Sequence, residues 1–430
     1  MKKILFTLLA LLSMGHASAQ NGGISPEMLS EIRKACPATA ETRALRNALA
    51  GTSINQLALA AENPALTDTY FSNEVPSKGV TDQKSSGRCW LFTGLNVFRA
   101  RMIKKYELGK FEFSQSYCFF YDQLEKANLF LQATIDNAKK PMDDKTVEWL
   151  FKNPLSDGGT FCGVQDVVTK YGLVPAEVMP ESFAANNTSR MSDLIALKLR
   201  EYGLALRAAV AKGEKPAALQ KRKTEMLTTV YRMLTICLGT PPAEFTWTRK
   251  DAYGKPVETK TYTIEYDRHS YDGCQWTYVN LPMDEIKPLA IASTKDSTML
   301  YFSCDVGKCY NSKTGILSLG NYNYADLFGT DFPMNKADRI RTFASASSHA
   351  MTLMAVDLDA EGKPTKWKVE NSWGPSAGYQ GHIIMTDEWF DEYMFRLVVD
   401  KKYVPASVLD LLKQKPTVLP AWDPLFAEDK

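Results

Sequence analysis

From Cys89 onward, apolar residues recur at spacings of three and four, at Leu91, Leu95, Phe98, Met102 and Tyr106, and this predicts a helix with one buried face. A second stripe runs from about Ser114 to Leu131, with Tyr117, Phe120, Leu124 and Leu131 on one side. A third, shorter one spans Thr160 to Tyr171 and stops at Gly172. Thr188 to Lys212 and Lys215 to Leu238 read as two long amphipathic helices, split by Gly213-Glu214 and closed by Gly239 and Pro241-Pro242. Their charged faces, Lys221-Arg222-Lys223 included, read as solvated surface. From about Thr261 the pattern turns to strands: Met299 to Ser303, His349 to Leu358, Lys366 to Glu370, Gly381 to Met385 and Phe395 to Val399. The expected fold is α+β, a helical half followed by a β half.

Composition narrows the class. With 430 residues, 45% hydrophobic and 23% charged, the chain can bury a large core, and it shows no repeat or low-complexity tract. Met1-Lys2-Lys3, the apolar run Ile4 to Leu12 and Ala17-Ser18-Ala19 have the three parts of a secretory signal peptide over residues 1–19, so a periplasmic or secreted protein is expected. That run is too short to span a membrane stably, and no cysteine follows it closely, so no membrane anchor is expected. Without residues 1–19 the chain carries 49 basic and 49 acidic residues, which gives no argument for nucleic-acid binding.

Eight cysteines are present: Cys36, Cys89, Cys118, Cys162, Cys237, Cys274, Cys304 and Cys309. If one must stay reduced, the other seven cannot all pair. Cys118, Cys162 and Cys237 fall in apolar helical patterns and read as small core residues. Cys304 and Cys309 could form a local disulfide or half of a metal site, but no second cysteine pair or histidine cluster completes one, so no metal or other cofactor is expected.

Candidate chemistry centres on Gln83-Lys84-Ser85-Ser86-Gly87-Arg88-Cys89-Trp90. A cysteine attacks as its thiolate, and the N–H groups at a helix start stabilise negative charge there. Gln83, six positions earlier, offers an amide to hold an oxyanion. The base is sought among the histidines. His16 lies in the leader, His269 in the polar loop-like stretch Tyr266 to Gly273, and His382 at a strand edge. His349 opens a buried strand, a rigid place for a base. After a polar turn from Asp359 to Pro364, the next strand ends in Asn371-Ser372-Trp373-Gly374. If the two strands pair as a hairpin, the Asn371 side-chain oxygen can accept the imidazole N–H and fix its tautomer.

These residues, in this order, resemble the papain-like cysteine peptidases, and more narrowly the bleomycin hydrolase and aminopeptidase C branch. Further matching segments are Phe113 to Tyr117, Cys237 to Pro242, Cys304 to Lys308, Met385 to Phe390 and Leu419 to Pro424. Many papain-like chains carry a disulfide-bonded cysteine three residues before the nucleophile; here that position is Ser86. The resemblance implies a two-lobed peptidase with its cleft between a helical lobe (about 70–185) and a barrel-like β lobe (about 260–405). A helical insertion (about 186–245) explains why His349 comes 260 positions after Cys89 rather than the usual ~130–150. Residues 20–430 would form one peptidase unit.

The resemblance also assigns roles. Cys89 would be the nucleophile, His349 the base, Asn371 its orienter and Gln83 the oxyanion donor, with Trp373 shielding the His–Asn hydrogen bond. Gly158-Gly159, merely a turn by its composition, would pair with the substrate backbone. Tails like residues 415–430 enter the cleft in this branch, where the terminal carboxylate, here that of Lys430, captures the substrate's free α-amino group. The substrates would be peptides with a free N-terminus, trimmed by an aminopeptidase, and the assembly a homohexamer. An endopeptidase or dipeptidyl-type enzyme with altered step length, and a non-catalytic scaffold, are the alternatives.

Overall fold

The computed structural model describes residues 22–63, 65, 68–247, 260–263, 278–415, 419 and 422–426. Residues 1–19, read above as a signal peptide, His269, Cys274, and Lys430 with the end of the tail lie outside them. The chain forms two compact units: the described part of Met1–Leu59 with Asn323–Thr330, and Ala60–Tyr322 with Asp331–Lys430. In the first, α1 (Pro26–Ala35), α2 (Ala40–Leu49) and α3 (Ile54–Ala58) each begin at a hydroxyl cap, Ser25, Thr39 and Ser53, that accepts a first-turn N–H. Every residue of the candidate site described below belongs to the second unit.

There the chain builds α4 (Cys89–Tyr106), α5 (Gln115–Asp136), α6 (Lys145–Lys152), α7 (Phe161–Tyr171), α8 (Ser189–Ala211) and α9 (Pro216–Leu238). Ser114 caps α5, its Oγ accepting from Tyr117 N at 3.1 Å. Gly172, Gly213 and Gly239, all at positive φ, end α7, turn α8 into α9 and end α9. The helices bury a core that includes Trp90, Leu95, Tyr117, Phe120, Leu199 and Val230.

The strands are β1 (Asn73–Glu74), β2 (Glu244–Trp247), β3 (Lys260–Thr263), β4 (Leu300–Cys304), β5 (Tyr310–Asn311), β6 (Ile316–Leu317), β7 (His349–Leu358), β8 (Pro364–Glu370), β9 (His382–Thr386) and β10 (Met394–Val398). Eight form one sheet in the order β10-β4-β7-β8-β9-β6-β5, with β1 beside the far half of β7, while β2 and β3 make a separate hairpin. β7 is buried from His349 to Val356 without alternation, because both faces are covered. Ala350 joins the helical core, and Met351 and Leu353 join a second core with Phe302, Trp367 and Phe390. α4 packs directly against β7.

Two expectations need correction. Lys223, read with Lys221 and Arg222 as solvated surface, is buried and donates to Gln132 Oε1 of α5 at 2.8 Å. The region after Thr261, read as strands, contains the helix α10 (Met283–Lys295). Pro288 inside the helix and the unbroken apolar run Leu289 to Ala292 mask its periodicity, and the acids Asp284 and Glu285 in the first turn are the overlooked signal. No disulfide joins Cys304 to Cys309: Cys304 ends β4 and Cys309 takes φ 52°. Cys118 is fully buried, and burial pushes its thiol pKa well up, whereas Cys162 and Cys237 are half-buried. Among the described residues no group of three or more His, Cys, Asp or Glu is placed to hold a metal, and no helix is long and apolar enough to cross a membrane.

Candidate active site

Cys89 is the first residue of α4 and is fully buried. Arg88 stands at the cap position, yet its side chain makes no capping bond, so the positive end of the helix dipole acts on the residue that opens the helix. Cys89 Sγ accepts the backbone N–H of Ala350 at 3.4 Å, which brings the sulfur to the strand residue directly after His349.

His349 opens β7, opposite Cys304 of β4, and β8 pairs along the other side of β7. That antiparallel hairpin returns the chain to Asn371. His349 Nε2 lies 2.8 Å from Asn371 Oδ1, and both residues are 2% exposed. Asn371 Oδ1 also accepts Ser372 N–H at 2.8 Å, so this atom is the carbonyl oxygen and His349 Nε2 carries the proton. A ring so fixed presents Nδ1 for proton exchange. The Trp373 indole stacks on the imidazole with centroids 4.7 Å apart and planes inclined by 28°, covering the bond from water.

Just before Asn371, Glu370 forms a buried ion pair with Arg99 of α4 at 2.6 Å, and Ser77 Oγ donates to the same carboxylate. Burial raises the Glu370 carboxyl pKa, while Arg99 and Ser77 pull it back. The helix that Cys89 opens and the strand that leads into Asn371 are thus joined by charge, at Arg99, ten residues along the helix from Cys89.

Gln83 lies in a loop pinned at successive residues. Its N–H donates to Ser372 O at 2.8 Å, Gly374 N donates to Thr81 O at 3.0 Å, and Asp82 bridges Trp373. Lys84 takes φ 55°, held by Asp82 through its N–H and its ammonium. Ser85 N donates to Asn186 O at 3.0 Å, and Gly87 N donates to Asp157 Oδ2 at 2.7 Å. The Gln83 amide is oriented at both atoms: Nε2 donates to Ser86 O at 2.6 Å, and Oε1 accepts Ser372 Oγ at 2.6 Å. An amide nitrogen has two protons, and the one not directed at Ser86 can serve an oxyanion.

Gly158 and Gly159 follow Asp157, whose carbonyl accepts the Trp90 indole N–H at 2.9 Å. A Cβ at Gly159 would come within 2.6 Å of the Trp90 ring, so only glycine lets this segment lie on the tryptophan beside Cys89. Gly158 O accepts the Lys126 ammonium at 2.5 Å. His382 stands opposite Glu370 at the start of β9, and burial lowers its pKa. Sequence reasoning missed Arg88, Ser372, Asp157 and the Arg99–Glu370 pair. Arg88 and Ser372 each adjoin a candidate catalytic residue in the sequence, and Asp157 directly precedes the glycine pair.

Comparison with known proteins gives the family of the chain. The family model described as the Peptidase C1-like family matches residues 23–258 and 252–426. The chain belongs to that family. It is a cysteine peptidase with a papain-like fold. It is 40% identical to bleomycin hydrolase of Homo sapiens over 400 residues, covering 83% of this chain and 88% of the relative. It is 36% identical to aminopeptidase C of Lactobacillus delbrueckii subsp. lactis over 397 residues, covering 84% and 88% respectively. The crystal structure of PepW from Lactobacillus rhamnosis superposes with a TM-score of 0.88 at 33% identity, covering 95% of this chain and all of that one. The match takes in the helical insertion as well as the lobes.

Proposed function

We propose that this peptidase removes residues from the N-terminus of peptides, with Cys89 as nucleophile, His349 as base and acid, Asn371 as orienter and Gln83 with the Cys89 N–H as oxyanion donors. The observation that carries the reading is the His349–Asn371 bond, with the Cys89 sulfur held one residue further along the same strand. The thiolate, paired with protonated His349, attacks the peptide carbonyl and forms a C–S bond. The carbonyl oxygen takes up negative charge and is met by the Gln83 amide. Collapse breaks the C–N bond as His349 gives its proton to the departing amine. His349 then takes a proton from water, which attacks the thioester and releases the acid and the thiolate.

Exopeptidase action is supported by the relatives named aminopeptidase C and by the Trp422-Asp423-Pro424 ending. The described part of that ending is tethered by Arg396 Nη2 donating to Leu425 O at 3.0 Å. In this reading the last residues, with the Lys430 carboxylate, bind the substrate's α-ammonium, while Gly158 and Gly159 pair with its backbone. The enzyme is exported after loss of residues 1–19 and assembles as a homohexamer. Mass spectrometry of products from matched free and N-acetylated peptides tests the specificity. Stepwise loss from free peptides only is expected, and equal internal cleavage of blocked peptides would make it an endopeptidase. N-terminal sequencing of the mature chain and light scattering test export and assembly.

A further inference from the structure

Arg88 is an odd residue to find where it is. Its side chain is wholly buried, although a guanidinium is costly to remove from water and a helix cap favours Ser, Thr, Asp or Asn. Nη2 lies 2.8 Å from Glu181 Oε2, as an ion pair without hydrogen-bond alignment, and the guanidinium carbon sits 5.2 and 5.4 Å from the ring centroids of Phe92 and Phe119. Ser116 Oγ donates to the other Glu181 oxygen at 2.9 Å. Neither capping nor core packing calls for this charge.

The aligned hydrogen bond it makes shows what it does. Arg88 Nε donates to Ser86 Oγ at 3.0 Å. A hydroxyl has one proton, so Ser86 Oγ, occupied as an acceptor by Arg88, donates to Gln83 O at 2.6 Å, while Ser86 O accepts from Gln83 Nε2. Ser86 therefore holds Gln83 by both its backbone and its amide, and Arg88 fixes which way the Ser86 hydroxyl points.

We propose that Arg88 is a positioning residue for oxyanion stabilisation: clamped by Glu181 and two phenylalanine rings, it sets the Gln83 amide through Ser86. The proposal rests on the reading of Cys89 as nucleophile and Gln83 as oxyanion donor. Arg88→Met keeps length and apolar bulk and removes the donor. It should lower kcat about 10- to 100-fold with KM within about twofold, because the donor acts on charge that develops only in the transition state. Alkylation of Cys89 by iodoacetamide, which forms no oxyanion, should keep its rate within about twofold. Arg88→Lys keeps the charge without the planar fork and should restore less than half of the lost rate.

The deciding measurement is a double-mutant cycle with Gln83→Ala, itself expected to cost about 100- to 1000-fold in kcat. If Arg88 acts through Gln83, Arg88→Met changes kcat less than twofold in the Gln83→Ala background. Additive losses, an unchanged kcat, or a loss matched by slower alkylation would overturn the proposal. Should Arg88→Met fail to fold, Glu181→Gln, at a partly exposed position, replaces it in the same cycle with a smaller loss of the same non-additive kind. A wild-type protein that neither hydrolyses peptides nor alkylates at Cys89 sinks the functional reading too, whereas additivity in an active enzyme sinks this inference alone.

Discussion

In the α8–α9 pair, the buried contact with the rest of the fold is mostly apolar and runs along repeating stripes, Met191, Ile195, Leu199 and Leu206 on one helix and Leu219, Met226, Val230 and Leu234 on the other, with Arg200, Arg207 and Lys223 adding polar bonds at the margin. Around Cys89 the contacts are polar and distant in sequence: Gln83 to Ser372, Gly87 to Asp157, Arg99 to Glu370, His349 to Asn371. In the helix pair, burial is spread over many interchangeable contacts, each worth little in direction. At the junction each bond fixes the orientation of one group. Stability and chemical alignment are therefore located in different places, and substitutions should separate them.

The largest separation is expected at Cys89. Cys89→Ala should abolish hydrolysis and labelling by a peptidyl electrophile while leaving the unfolding midpoint nearly unchanged, since one buried sulfur contributes little packing. Retained hydrolysis would move the nucleophile elsewhere and break the comparison at its root.

Arg99→Met should damage both properties at once. Breaking a buried ion pair leaves an uncompensated charge and costs roughly 3–5 kcal/mol. The pH dependence follows from Glu370, whose pKa burial already raises above the ordinary 4.5. A carboxyl favoured in its neutral form supports the fold below that ordinary value and loses the support as pH climbs through the raised one. Without Arg99 that loss should extend to higher pH. Urea unfolding at a series of pH values checks it, and a variant as stable as the wild type at pH 8 would show that the pair does not brace α4 against β8.

Leu206→Ala, fully buried on α8, should cost roughly 2–5 kcal/mol with kcat unchanged at temperatures where the protein stays folded. A comparable fall in kcat would mean that the insertion is coupled to the site and that the two regions are not separate.

The same contrast explains what was legible in the sequence. Thr188 to Lys212 and Lys215 to Leu238 came within a residue or so of α8 and α9 because apolar periodicity is local information. Cys89, His349 and Asn371 stood out because their residue types are rare and chemically distinctive. Arg88 did not: a lone arginine beside a cysteine reads as surface charge until Glu181, Phe119 and Ser86 are brought around it. Ser86 was visible only as a missing cysteine, and its work in orienting Gln83 depends on contacts that no spacing encodes. α10 was hidden for another reason, its internal proline and its run of neighbouring apolar residues.

The smallest effect is expected at Lys336, a half-buried cation away from the junction, in the helix Lys336–Arg341. Burial lowers its pKa from 10.5 to about 8, against the opposing pull of Glu392 and Asp391, and its ammonium donates at 2.8 Å to the main-chain carbonyl of Asp391. An amine whose folded pKa is depressed is held charged at a cost below about 8, and the cost fades as pH rises from 8 to 10.5. Lys336→Met should therefore stabilise the protein at pH 7 by about 1 kcal/mol, since the half-buried side chain keeps some contact with water, and the gain should vanish near pH 10.5. Urea unfolding at the two pH values measures it. Stabilisation here beside destabilisation at Arg99 would show that a desolvated cation's effect is set by its partner rather than by the loss of water itself. A loss at Lys336 as large as that at Arg99 would place a second braced junction ahead of the segment that leads into His349.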